Sequence, residues 1–172
     1  TKGNVLGAKE EGFSLNNQSR EEQSPTQWWT SCFHLLRTLC AELKEDIDLQ
    51  NVKAIAVTST SGTIIPLNKE NNPLHDAIMY SDGRSTSEAS TCKEAAKEAS
   101  TKAFSTFNAS CGLPKMLWFI NNYPDKIAQL NHFIHAADFI TGQLSGNFSV
   151  TDYTNALKSG YDIQQLEWPE YI

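Results

Sequence analysis

No apolar run in the chain approaches the roughly 18 residues that mark a membrane-spanning helix, and the opening TKGNVLGAKEEG lacks a signal-peptide hydrophobic stretch. A cytoplasmic protein with no membrane partner is expected. Positive charge is also short: fourteen Lys and Arg stand against twenty Asp and Glu, a net charge of −6 with no basic stripe. That balance argues against nucleic acid as a partner and leaves a neutral or metal-bound small ligand. Cysteine is sparse, and Cys32, Cys40, Cys92 and Cys111 form no C-x-x-C pair. Zinc-ribbon and redox motifs are therefore excluded, and buried free thiols without a disulfide are expected. His132 and His135 stand three apart, but no metal site is read from them. Three N-x-S triplets, at Asn17, Asn108 and Asn147, are what an Asn- and Ser-rich chain produces by chance. Internal repeats, heptads and low-complexity linkers are missing too.

At 172 residues the chain has the size of one ordinary domain. Its clearest helix opens at S-P-T-Q, with Ser24 as N-cap, Pro25 at the first helical position and Gln27 as capping-box partner. Trp28, Cys32, Leu35, Leu36, Leu39 and Leu43 then recur at helical spacing to about Glu45, one apolar face. VKAIAVTS is apolar on both faces and rich in β-branched residues, the pattern of a central strand, with Ile55 and Val57 expected inside. TIIPLN is expected as a second strand, placed at an edge because of Pro66. NKENNP then turns into a strand-like LHDAIMY. From Ser85 to about Ala103 a thin apolar stripe predicts an exposed helix or helical pair. Pro114 opens LPKMLWFINN, Pro124 closes it, HFIHA and DFITGQLSG alternate strand and helix signals, and Gly146 marks a helix end. Alternating strands and helices predict an α/β fold.

Between the two apolar runs of AVTSTSGTIIPL stand Thr58, Ser59, Thr60, Ser61, Gly62 and Thr63, five hydroxyls around one glycine. Two readings stay open on composition. Such residues can bond their own turn, or they can face a polyhydroxylated ligand, which needs groups that both donate and accept beside a close-lying backbone.

In order along the chain, the paired-Trp helix, TSTSGTIIPLNKENNPL, AIMYSDGR, LPKMLWFINNYPD and HAADFITGQLSGNFSVTDYTNALKSGYD resemble the N-terminal domain of the FGGY family of carbohydrate kinases. The resemblance runs from GNVLG to WPEYI. The closing D-x-x-N-A-L-K-x-G-Y-D, Asp152 to Asp162, together with T-S-G-T at Thr60 to Thr63, is most similar to the ribulokinase and xylulokinase-like branch. The resemblance implies a ribonuclease-H-like (actin-like ATPase) α/β domain with a mixed sheet and flanking helices. It further implies transfer of the γ-phosphoryl of ATP, with Mg²⁺, to a hydroxyl of a pentulose, D-ribulose before D-xylulose. Ser61 is similar to a substrate-contacting serine, with Thr60, Gly62 and Thr63 shaping the loop. Asp82 and Arg84 match residues near the cleft, although D-G is equally a turn and Arg84 can equally pair with a surface carboxylate. Asp138 and Asp152 read as helix caps rather than sugar contacts. Lys158 is either cleft wall or a solvated surface lysine. Thr58 and Ser59 stand where relatives often carry Asp-Gly.

The family's D-x-G-T strand and its G-x-G-D catalytic aspartate are not found in the sequence. The expectation is thus a sugar-binding domain, residues 1–172, without its first strands and C-terminal domain. No catalytic or metal-binding residue is expected in this chain, ATP and Mg²⁺ being held mainly elsewhere, and the chain alone is expected to be inactive. Expected partners are a small-molecule sugar and the second domain of the same parent chain, with a homodimer left open. The competing readings are a non-catalytic sugar-binding or regulatory protein of the same fold, and an actin-like ATPase module.

Overall fold

The structure is a computed structural model that describes residues 3–14, 16–99 and 106–172. After an extended N-terminal strap, Asn16 caps the short helix α1 (Asn17–Glu21), which leads into β1 (Glu22–Gln23). Helix α2 (Pro25–Leu43) then starts as its sequence dictates: the Ser24 hydroxyl accepts the Gln27 N–H at 3.3 Å, and Pro25 occupies the first turn, where no N–H is needed. Trp28 and Trp29 pack on the core, but of the whole helix only Pro25 is fully buried. Leu35, Leu36 and Leu39 are half-buried rather than sealed against the sheet.

The largest correction follows α2. Residues 52–60 form no strand, Ile55 is 63% exposed and Val57 only half-buried. A strand exists through its neighbours, whose backbone groups must pair with its own, and no described residue supplies that partner for 52–58. The apolar pattern is present; the ladder is not.

The sheet is built instead from β1, β2 (Ile64–Leu67), β3 (Ala77–Ile78) and β4 (His132–His135), in the order β1-β3-β2-β4 with every pairing antiparallel. The expected mixed sheet is therefore not what these strands form, because the segment read as its centre joins no ladder. Nor is the Pro66 strand an edge. β2 lies between β3 and β4 and is buried throughout. Proline is tolerated there because β3 pairs with β2 only at Ile64↔Ile78. The Pro66 carbonyl accepts the Leu74 N–H at 2.9 Å, so the side lacking an N–H faces the turn and not the β4 ladder.

Two apolar clusters flank β2. On one face Ile65 and Leu67 join Ala77, Met79, Ile134 and Phe139, covered by α2 and by α5 (Ala136–Ser145). On the other, Ile64 meets α4 (Gly112–Asn122). Beyond it Cys92, Ala96, Phe107 and Cys111 form a second cluster with α3 (Thr86–Glu98). The stripe expected on α3 thus buries Ala89, Cys92 and Ala96, while the end of that expected helix, 100–103, lies outside the described residues. Gly146 ends α5 at φ +77°, and α6 (Tyr153–Lys158) closes the domain. Cys92 and Cys111 are buried free thiols, whereas Cys40 is exposed. Among the described residues no helix is long and apolar enough to cross a membrane.

Candidate functional site

The hydroxyl-rich loop precedes β2 and is held at both ends. Gly62 takes φ +85°, and a Cβ there would lie 2.2 Å from the Ser110 carbonyl oxygen, so neither the conformation nor the space admits a side chain. Thr63 is fully buried, its Oγ1 accepting the Tyr80 N–H at 3.1 Å across to the segment after β3. On the loop's other side the Ser59 hydroxyl accepts the Ala137 N–H at the start of α5, at 3.1 Å, and donates to the Thr60 carbonyl at 3.4 Å. Two of the five hydroxyls therefore bind the loop to the scaffold. Those of Thr58, Thr60 and Ser61 have no hydrogen-bond partner among the described residues; Thr58 and Thr60 are exposed and Ser61 is half-buried. The turn bond that would explain Ser61 structurally is not made.

Thr58, Ser59 and Thr60 form the polar rim of a groove of about 390 Å³. Its walls are apolar: Trp28, Cys32 and Leu35 on α2, Ala136, Ala137 and Ile140 on α5, with Met79 between them. Glu11 of the N-terminal strap is its one carboxylate among the described residues.

Asp82 and Arg84 do not line that groove; they tie the segment after β3 to β1. Asp82 is 2% exposed and accepts the Arg84 N–H at 2.8 Å, Nε at 3.1 and 2.9 Å, and Nη2 at 2.6 Å. Nη2 also reaches Glu22 on β1 at 2.6 Å, and the guanidinium lies 4.3 Å from the Trp118 ring centre. Burial alone would weaken proton binding by Arg84, but the hydrogen bonds and charges of Asp82 and Glu22 reverse this and hold it above its usual value. The row of charges ends at Lys115, fully buried, which donates to the carbonyls of Ala109 and Cys111. Burial pushes Lys115 down to about 8, against the opposing charge of Asp82.

Lys115 was not singled out in the sequence. Its signal was faint but present: a cation in the first turn of an apolar helix, where the macrodipole disfavours it. His135, from which the sequence reads no metal site, has its Nδ1 donating to Asp138 at 2.8 Å and its Nε2 3.0 Å from the Ser159 hydroxyl, all three buried. Asp138 also accepts the His135 N–H at 3.1 Å, and Asp152 caps α6 by accepting the N–H groups of Thr154 and Asn155. Lys158 is half-buried near Lys115. Among the described residues no three His, Cys, Asp or Glu converge to hold a metal ion.

This arrangement of helices, sheet and loop is shared with solved structures. Plasmodium falciparum glycerol kinase, whose structure contains ADP, superposes with a TM-score of 0.77 over 97% of this chain and 35% of its own, at 23% identity. Identity that low speaks for the fold alone. The sequence goes further: the N-terminal domain of the FGGY family of carbohydrate kinases matches residues 1–172, and the chain belongs to that family. It is 27% identical to a xylulose kinase of Haemophilus influenzae over 172 residues, 96% of this chain and 34% of the relative. It is also 27% identical to a glycerol kinase of Thermococcus onnurineus, over 98% of this chain and 35% of the relative. The chain thus spans about a third of the length of these relatives.

Proposed function

We propose that the chain is the sugar-binding domain of an ATP-dependent kinase that phosphorylates a hydroxyl of a pentulose, D-ribulose or D-xylulose. The observation that carries this reading is the loop on Gly62. In a carbohydrate-kinase domain it presents three hydroxyls, on Thr58, Thr60 and Ser61, with no partner among the described residues. Ser61 and Thr60 offer donor and acceptor in one small group each, which a polyol requires, and Gly62 lets the loop pack closely against the Ser110 carbonyl. Thr63 fixes the loop to the segment after β3 through the Tyr80 N–H, and Arg84, gripping Asp82 and Glu22, ties that segment to β1. ATP with Mg²⁺, bound mainly by the second domain of the parent chain, supplies the phosphoryl group. A xylulose kinase among the relatives supports a pentulose, and a glycerol kinase keeps a shorter polyol in the test.

The test is a panel of D-ribulose, D-xylulose and glycerol on the full-length protein, scored by ADP formed. Substituting Ser61→Ala should lower kcat/KM for the preferred sugar by roughly three- to ten-fold, the loss of one neutral hydrogen bond, with KM for ATP and Tm unchanged. Unchanged sugar kinetics with a lowered Tm would return Ser61 to a purely structural role.

A further inference from the structure

We propose that Ser59 is a positioning residue for the ligand-facing loop: by accepting the Ala137 N–H it fastens Thr58, Thr60 and Ser61 to the first turn of α5. The bond spans 78 residues of sequence at 3.1 Å. Residues 52–60 join no ladder among the described residues. Beyond the loop, the fit of Gly62 beneath the Ser110 carbonyl and the Thr63–Tyr80 bond supply the other anchor. Thr60 and Ser61 lie between the two. The choice of partner is chemically apt. Ala137 N–H is a first-turn donor without an intrahelical acceptor, and it carries the positive end of the helix dipole toward the Ser59 oxygen. With its oxygen so engaged, the hydroxyl is left to donate weakly to the Thr60 carbonyl, 3.4 Å away. Ser59, Ala136 and Ala137 all line the groove, so this one bond closes the loop against the α5 wall.

The kinetic consequence rests on the sugar-kinase reading; the anchoring does not, and the experiment separates them. In the full-length protein, amide hydrogen exchange, melting and steady-state kinetics are measured for wild type, Ser59→Ala, Ser59→Thr and Ala137→Pro. The last removes the donor at a first-turn position where proline is accommodated. Ser59→Ala should speed exchange at Ala137 and across 58–62 and raise KM for the sugar about three- to ten-fold, leaving KM for ATP unchanged. Ser59→Thr, which keeps the oxygen, should restore both. Ala137→Pro should reproduce the loop exchange and the KM change, and combining it with Ser59→Ala should add nothing further. Unchanged exchange in Ser59→Ala overturns the proposal, as does a loss shared equally by sugar and ATP with a lowered Tm that threonine fails to rescue. If wild type phosphorylates no sugar, the kinase reading fails while exchange over 58–62 still decides the anchor: faster in Ser59→Ala upholds it, the same as wild type sinks it.

Discussion

Replacing Gly62 with alanine should be among the most damaging single-methyl additions in this domain, and its size can be worked in two parts. Holding a non-glycine residue at φ +85° costs about 1 kcal/mol. The added Cβ would also sit 2.2 Å from the Ser110 carbonyl oxygen, about an ångström inside normal contact. That carbonyl is not free to swing. Ser110 donates its N–H to Asn108 Oδ1 at 2.9 Å, and the next residue, Cys111, is fully buried. Relief must come from moving packed backbone, at about 2–3 kcal/mol. The sum, about 3–4 kcal/mol, lowers Tm by roughly 6–16 °C for a unit of this size. Gly146→Ala is the control: it has φ +77° and open space, so it carries only the first part, about 2–4 °C. Thermal melts of the two variants in the full-length protein separate backbone strain from collision. Should they melt within about 1 kcal/mol of each other, the Gly62–Ser110 contact is not rigid and the account of the loop's fixed end is wrong.

Lys115 is held down near 8 by burial, below its unfolded value, so between pH 8 and about 10.5 the unfolded state binds more protons and stability should rise with pH. Urea unfolding should show wild type gaining on Lys115→Met by up to ~3 kcal/mol across that window; a constant difference would mean the ammonium is well solvated. Arg84→Lys keeps the charge but loses the fork that grips Asp82 and Glu22 together and the flat contact with Trp118, so chemical denaturation should reveal a loss of about 2 kcal/mol. Asp152→Ala should cost about 1 kcal/mol by uncapping α6, and Asp152→Asn much less. Burial raises the Asp152 carboxyl, but hydrogen bonds from Asn155 and Thr154 more than offset it and hold it below its usual value. The cap's contribution should therefore persist at neutral pH and fade on acidification through that depressed value, which melts of wild type against Asp152→Ala from pH 6 to pH 2 would follow.

What the sequence determined by itself was local. Ser24 with Pro25 starts α2, and Gly146 ends α5, because a cap joins groups within a few residues and needs nothing from the rest of the chain. The hydroxyl cluster around Gly62 was legible as a loop of special chemistry for the same reason, and its family followed from the order of such fragments. The fate of 52–58 was not legible, because an apolar, β-branched run becomes a strand only when other backbone lies beside it, and among the described residues none does. Pro66 was misread for the converse reason: proline argues for an edge in general, yet here only one side of one residue lacks a donor, and the strand order decided which side that was. The division of labour among the five hydroxyls belongs to tertiary structure as well. Ser59 and Ser61 are chemically the same residue two positions apart. Only the arrival of Ala137, 78 residues on, makes one an anchor and leaves the other without a partner among the described residues, since a hydrogen bond across that distance is settled by packing and not by neighbouring sequence.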